Sequence, residues 1–462
     1  MSSTIGMLAL RCLLPGFVGT SAPDWVRRRA AEGLGGVVLF ARNVDDRNKL
    51  TALTDALHHE RPGLLIAIDE EGGDVTRLEA KAGSSYPGNL ALGAAGDTAL
   101  TEKVAAAMGA RLAEAGIDLN LAPVADVNTN PLNPIIGVRS FGSDAPAVAG
   151  QVEAWVTGMQ GAGVAACAKH FPGHGDVAVD SHLALPVATE DPRERALEPF
   201  KAAIAAGVRA IMSAHIVATA LDDLPATISP RVMSGLLRDE LGFQGLAVTD
   251  GLEMRGLSDG RGVAEAAVLA LAAGCDALCV GGGLAGEDVV DSILEAIVGA
   301  VHDGSLPEAR LREAASRVDA VAGWRSRQGA PKMMSDDIGL EAARRAVTAD
   351  GEVRVGERAV VVQLESEPSI AAGKIPWGVA AALAARGAHL DAAGGSVVIV
   401  VRDLHRHPEH RAQVDTLLRQ HPDAVLVEMG VPACRPDRVR GYIATHGSAR
   451  VCAMAAAEVM RP

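Results

Sequence analysis

The chain is poor in aromatics, with six Phe, two Tyr and four Trp among 462 residues. A protein that held bases or sugars mainly by stacking would carry more, so polar side chains are expected to do the recognising. It also lacks excess basic charge. Lys+Arg number 43 against 57 Asp+Glu, a net charge of −14 with no cationic stripe, which argues against nucleic acid or an anionic membrane as partner. No run of about 18 apolar residues escapes a Gly or a charge, so no spanning helix is expected. The N-terminal stretch MSSTIGMLALRCLLPGFVG has Arg11 inside its apolar run and neither a basic leader nor a small-residue cleavage site. It reads as a first strand and not as a signal peptide. Six cysteines (Cys12, Cys167, Cys275, Cys279, Cys434, Cys452) are scattered through apolar segments without a CxxC pair, as expected of reduced, buried thiols in a cytoplasmic protein.

What the chain does have is a rhythm. Eight β-rich runs recur: CLLPGF (12–17), GGVVLF (35–40), LLIAID (64–69), IDLNLAP (117–123), VAACAKHF (164–171), AIMSAHI (210–216), GLAVTD (245–250) and CDALCVGG (275–282). Between them lie stretches with apolar residues at three- and four-residue spacing, predicting helices over Asp24–Glu32, Thr101–Ala115, Ala145–Ala162, Leu197–Ala206, Ser229–Leu241 and Val263–Ala273. Near-continuous apolar strands alternating with helices are parallel strands covered on both faces. Eight such units predict a (β/α)8 barrel over 1–327, whose chemistry belongs at the carboxyl ends of the strands.

A helical tail, Glu308–Trp324, ends this unit. The polar, turn-rich stretch that follows predicts a linker over 328–345 and a smaller parallel α/β sandwich over 346–462. The second unit reads as having no GxGxxG after a strand and no concentration of His or carboxylates at strand ends.

Polar residues cluster immediately after the barrel strands: Asp69 to Asp74 with Arg77 after the third, Asp126 and then Arg139 after the fourth, Lys169, His170, His174, Asp180 and His182 after the fifth, His215 after the sixth, and Asp250 after the seventh. Singly, each has an ordinary structural role, since a strand-end Asp caps helices and a lone His sits hydrogen-bonded in many cores. Five strand ends converging on one mouth is the informative pattern. Glu71, Asp74, Glu253 and Arg255 read as loop or rim charges. Asp180 and His182, two apart on an extended loop, can point the same way, so the carboxylate can hold one ring nitrogen while the other handles a proton near neutral pH. Asp250 can then act as nucleophile from the opposite face of a substrate. A metal-dependent barrel hydrolase using His170, His174, His215 and Asp250 is a competing expectation. It is disfavoured by the Arg and Lys residues at the same mouth.

The strings KHFPGHGDVAVDSHLALP (169–186), IDEEGGDVTRL (68–78), GVRSFG (137–142) and VTDGLEM (248–254) resemble glycoside hydrolase family 3, most nearly its β-N-acetylglucosaminidase branch, over about residues 5–325. The resemblance implies roles position by position. Asp250 matches the nucleophile that forms a covalent glycosyl enzyme, His182 the acid/base on a mobile loop, and Asp180 its partner. Asp69, Arg77, Arg139, Lys169 and His170 match residues that hydrogen-bond the hydroxyls of the reacting sugar. Gly251 stands where the glucosidase branch commonly has Trp, and the DSH motif lies in the barrel itself.

The resemblance therefore implies an exo-acting retaining β-N-acetylhexosaminidase that removes terminal β-linked GlcNAc from chitooligosaccharides or cell-wall fragments. It needs no cofactor and no metal, has a carbohydrate as its only expected partner, and is expected to be a cytoplasmic monomer. A phosphorylase using the same residues is the alternative, because a neutral imidazole repels an anionic acceptor less than a carboxylate does; a silent sugar-binding protein is a remoter one. The second unit resembles the sandwich domain of longer family members, with the expected role of covering an apolar barrel flank. Of the aromatics, only Phe141 and Phe171 fall in the motif loops, so no stacking platform is expected at the reacting sugar.

Overall fold

The computed structural model describes residues 4–283, 286–329, 337–390 and 394–461. Each of the eight predicted barrel runs contains a strand: β1 (Leu13–Pro15), β2 (Gly36–Leu39), β3 (Leu65–Ile68), β4 (Leu119–Asn120), β5 (Ala165–Phe171), β6 (Ala210–Ser213), β7 (Leu246–Thr249) and β8 (Leu278–Val280). β2 to β7 form one parallel sheet in chain order. A bridge between Val248 and Ala277 joins β7 to the β8 segment, β8 pairs in parallel with β1, and β1 lies beside β2. The ring is thereby closed. One segment differs from the expectation: Thr4–Arg11 is a helix, and only Leu13–Pro15 of the N-terminal apolar run is strand. Three- and four-residue spacing of Ile5, Leu8 and Ala9 gives that helix an apolar face against the barrel helices, which a strand reading overlooks.

Strand alternation partitions the core although both faces are buried. Leu14, Val38, Ala67, Leu119, Cys167, Met212 and Val248 point into the barrel, while Val37, Leu39, Ile66, Ile68 and Ile211 point outward at the helices. The helix Glu308–Arg325 closes the amino end of the barrel, inserting Val318 and Val321 beneath the inner cluster. Charges at that end serve the structure. Asp276 takes Arg238 and Arg310 at 2.5 Å each and Arg317 at 3.1 Å.

The second unit has a five-stranded sheet: β9 (Thr348–Gly351), β10 (Ala359–Gln363), β11 (Ser396–Val401), β12 (Val425–Glu428) and β13 (Gly441–Ala444), ordered β9-β13-β12-β11-β10. It is not wholly parallel, because β9 runs antiparallel to β13. β9 reads Thr-Ala-Asp-Gly and is exposed throughout, so no apolar pattern announces it. The predicted linker is also shorter than 328–345. Residues 330–336 lie outside the described residues, and Ile338–Ala346 is a helix. Its Ala343 and Ala346 pack with Ala91 of the barrel and Val451, Cys452 and Ala455 of the C-terminal helix Arg450–Met460. Small side chains allow this close approach, and the second unit does cover an apolar flank. Five of the cysteines are buried and none is paired; Cys434 is partly exposed. Among the described residues, no helix is long and apolar enough to cross a membrane.

Candidate active site

A cavity of about 460 Å³ opens at the carboxyl ends of the strands, within the roughly 300–1,000 Å³ range of small-ligand sites. Its floor is the top of the barrel core, including Val38, Leu121, Met212 and Cys279. Above it stand Asp69, Arg77, Arg139, Lys169, His170, His182 and Asp250, all predicted. Asp180 sits behind His182.

The β3 end splits its three acids by direction. Asp69 accepts from Lys169 Nζ at 2.6 Å and lies 4.0 Å from Arg77 Nη2. Glu70 turns away. Burial pushes its carboxyl up to about 7, and it accepts from the backbone N–H groups of Arg77 and Leu78, which shapes the Arg77 loop. Glu71 is the correction: it is no rim charge but fully buried, accepting from Arg139 Nε at 2.9 Å and Nη2 at 2.8 Å, with Lys169 Nζ 2.8 Å away. Burial alone would raise its carboxyl, but Arg139 and Lys169 outweigh this and hold it well below the usual carboxylate range. Burial likewise opposes the charge on Lys169, yet Asp69 and Glu71 keep its ammonium firmly protonated. Two carboxylates against Arg77, Arg139 and Lys169 leave the cluster one net positive charge. The Gly72–Gly73 turn that carries the loop has both residues at positive φ. A Cβ on Gly73 would lie 2.5 Å from the Gly88 Cα, so nothing larger fits.

Breaking this lattice has a measurable consequence. In Glu71→Gln, Arg139 and Lys169 lose their shared buried counter-charge, a class of change that costs about 3–5 kcal/mol. The melting temperature should fall by roughly 3–5 °C and kcat/KM should drop with it. A melting curve superimposable on wild type would contradict the assigned role.

His170 is set by Asp126, fully buried on the loop that follows β4. Its Nδ1–H donates to Asp126 Oδ2 at 2.7 Å, which leaves Nε2 for the cavity, and Asp126 Oδ1 accepts from the His174 N–H at 2.6 Å. His174 is not a cavity base. Burial lowers it to about 4, and its Nε2 meets Ser181 Oγ at 3.2 Å, tethering the loop that carries Asp180 and His182. His215 is also structural: Nε2–H donates to Gly251 O at 2.9 Å and Nδ1 meets the Thr227 hydroxyl at 2.8 Å, so both nitrogens are engaged just behind Asp250. That geometry takes His215 out of the metal-ligand set considered from the sequence.

His182 Nδ1–H donates to Asp180 Oδ1 at 2.7 Å. The segment is a turn and not extended: the same oxygen accepts the His182 backbone N–H at 2.9 Å, and Asp180 O accepts from Leu183 and Ala184. An Asx-type turn, the local habit of Asp, therefore aims the ring. Burial opposes protonation of His182, but the Asp180 hydrogen bond and the Asp250 charge outweigh it and raise its pKa above that of an ordinary imidazole. Asp250 follows the last residue of β7. Burial would raise its carboxyl, but the imidazoles of His170, His215 and His182 and the Gly251 N–H hold it down to about 2. The cavity thus holds an ionised carboxylate and a proton-bearing imidazole on separate elements.

Residues 23–321 match the model of the glycosyl hydrolase family 3 N terminal domain. The chain belongs to glycoside hydrolase family 3. A Pseudoalteromonas piscicida protein named β-hexosaminidase A is 41% identical over 269 residues, 53% of this chain but only 45% of that protein. An Alkalilimnicola ehrlichii protein named β-hexosaminidase is 41% identical over 255 residues, 53% of this chain and 72% of that one. A solved family 3 β-N-acetylglucosaminidase from a Paenibacillus species superposes with a TM-score of 0.89 at 31% identity, covering 99% of this chain and 97% of that one.

Several features of this glycoside hydrolase's mouth were not legible in its sequence. Phe40, at the end of the second predicted run, lines the cavity with Arg42 stacked 4.4 Å over its ring, whereas Phe141 and Phe171 are buried in the core. An aromatic wall therefore exists, although not on the motif loops. Glu253 is no rim charge: its Oε1 accepts from the Gly281 and Gly283 N–H groups at 3.1 and 3.2 Å, and from Gly282, fixing the β8 loop. Arg255 is exposed as expected. Asp74 faces the second unit, where it accepts from Ser448 Oγ at 2.6 Å and lies 3.6 Å from Arg402. The second unit also reaches the mouth: Ile370 and Ala371 line the cavity, and Ala371 O accepts from Arg77 Nη2 at 2.8 Å. Its role is thus wider than covering a flank.

Proposed function

We propose that the protein is an exo-acting, retaining β-N-acetylhexosaminidase that removes terminal β-linked GlcNAc from short chitooligosaccharides or cell-wall fragments, acting as a cytoplasmic monomer. The observation that carries the reading is the 2.7 Å His182–Asp180 pair in the cavity that also holds the ionised Asp250. The names of the relatives above favour this substrate over other glycosides.

In the first step the Asp250 carboxylate attacks the anomeric carbon while His182 Nε2–H protonates the departing oxygen, so the C–O bond breaks without expelling an alkoxide. Neutral His182 then takes a proton from water as that oxygen attacks the same carbon and Asp250 leaves. Two inversions give retention. Asp69, Arg77, Arg139, Lys169 and His170 hold hydroxyls of the sugar, and their mutual pairing keeps them in place before the substrate arrives.

Arg77, the cation left over once Lys169 and Arg139 are balanced by Asp69 and Glu71, together with an imidazole as acid/base, also favours an anionic acceptor, and phosphate in place of water is the second reading. Proton NMR of N,N′-diacetylchitobiose turnover, run with and without phosphate, separates them. Hydrolysis predicts that the GlcNAc released from the non-reducing end is first the β-anomer in both samples, so the β signal initially exceeds the share that the substrate's own equilibrated reducing end contributes. A sugar 1-phosphate would favour the second reading, and an initial α excess over that share would defeat the two-step mechanism.

A further inference from the structure

The segment after β11 reads Arg-Asp-Leu-His-Arg-His-Pro-Glu-His, a gathering of imidazoles at a strand end of the second unit that the sequence reading passed over. We propose that His407, Glu409 and His410 form a binding site for a zinc-class divalent transition-metal ion, separate from the sugar cavity.

The helix Pro408–Gln420 begins here, with His407 at its cap and Glu409 and His410 in its first turn. Side chains three apart on such a turn are neighbours, and Pro408 at the first helical position presets the backbone. One ligand atom from each of the three residues lies within 4.8 Å of the others, and among the described residues this is the one group of three that does so. The His407 Nδ1 to Glu409 Oε1 distance is 3.2 Å. Metal bonds of about 2.0–2.1 Å in a tetrahedral site place ligand atoms roughly 3.3–3.4 Å apart, so this edge needs almost no rearrangement. The two imidazole rings stand 4.9 Å apart, and His410 Nδ1 is buried with no hydrogen-bond partner. A cation shared by the rings satisfies that atom and neutralises the carboxylate. Two imidazoles and one carboxylate select zinc, nickel or cobalt over magnesium or calcium, which prefer all-oxygen sites. Water would fill the fourth position, because Glu409 is solvent-exposed and the site is open on that side.

The position gives the site a consequence. In the same segment His405 Nε2–H donates to Pro131 O at 2.7 Å, on the barrel loop whose Ile135 and Ile136 wall the sugar cavity and whose Asn133 holds His174 O at 2.8 Å. An ion fastening the first helical turn therefore braces the contact between the second unit and that loop.

The test is calorimetric titration of the tag-free, EDTA-treated full chain with zinc chloride, with magnesium chloride as the control. One zinc per chain is expected, with no magnesium heat and a rise in melting temperature on zinc addition. The double variant His407→Ala/His410→Ala should lose at least about tenfold in affinity, and the milder Glu409→Gln should weaken binding while keeping the fold, verified by circular dichroism. His405→Ala should keep the zinc stoichiometry. No zinc binding by the wild type, or unchanged stoichiometry and affinity in a folded double variant or in Glu409→Gln, would overturn the proposal. None of these residues belongs to the sugar site, so the result is independent of the catalytic reading.

Discussion

Replacing Asp250 with alanine is expected to lower kcat on p-nitrophenyl β-N-acetylglucosaminide by roughly 10⁴–10⁶-fold, the loss seen when the attacking group of a covalent mechanism is removed. The physical basis is that no other group in the cavity can replace it. Asp69, Glu71 and Glu253 are carboxylates of the same cavity, but Asp69 and Glu71 are tied to Lys169, with Glu71 also locked on Arg139, and Glu253 is held by the Gly281, Gly282 and Gly283 N–H groups. Asp250 instead takes only the Gly251 N–H at 2.8 Å and the field of three imidazoles. Its depressed pKa also fixes a pH window. Its ionised form, and the stability gained from it, is fully present above the ordinary carboxylate range near pH 4 and is lost as pH falls through about 2. Any acid limb observed above pH 4 must therefore belong to another group. Steady-state kinetics on both proteins decides the matter, and near-wild-type turnover in Asp250→Ala would end the nucleophile assignment.

The second large effect depends on the leaving group. His182→Ala should cost about 10²–10⁴-fold on chitobiose, whose alcohol leaving group needs a proton, and far less on the nitrophenyl glycoside, whose leaving group departs as a stable anion. Equal losses on the two substrates would argue against an acid role. Asp180→Asn refines the test. Asp180 is one of the groups that outweigh burial and raise the His182 pKa, so the protonated form persists to higher pH in the native enzyme and is lost as pH rises through that raised value. Without the carboxylate that loss comes at lower pH. The basic limb of kcat/KM for chitobiose should accordingly move down in Asp180→Asn. An unmoved limb would mean the Asp180 hydrogen bond does not tune the proton donor.

Local pattern carried much of this protein. All eight barrel runs hold a strand because a buried parallel strand is a short apolar string bounded by turns, a signal contained within a few residues. Each helix expected in the barrel was found, with ends differing by at most three residues. Polar residues at strand ends were legible as a group because the topology, once recognised, puts every carboxyl end at one mouth. The misreadings share a cause. Thr4–Arg11, the exposed β9 and the Asp180–His182 turn are short elements whose conformation is set by neighbours or by one side-chain hydrogen bond, which periodicity does not record.

Charge shows the division most clearly. Chain order and strand direction suffice to bring Asp250, His182, Asp180, Asp69, Arg77, Arg139, Lys169 and His170 to the carboxyl-end strand termini and loops. Their neighbours are set by folding. Glu71 became the buried counter-charge of Arg139, Asp126 the holder of His170, His215 the brace behind Asp250, and Asp74 the hold on the second unit. These pairs join residues 36 to 374 positions apart. Whether a carboxylate there is a solvated rim charge or a fixed part of the site depends on how much water folding removes around it and on which cation that folding brings within 3 Å. Neither quantity exists in the chain until it is closed into a barrel.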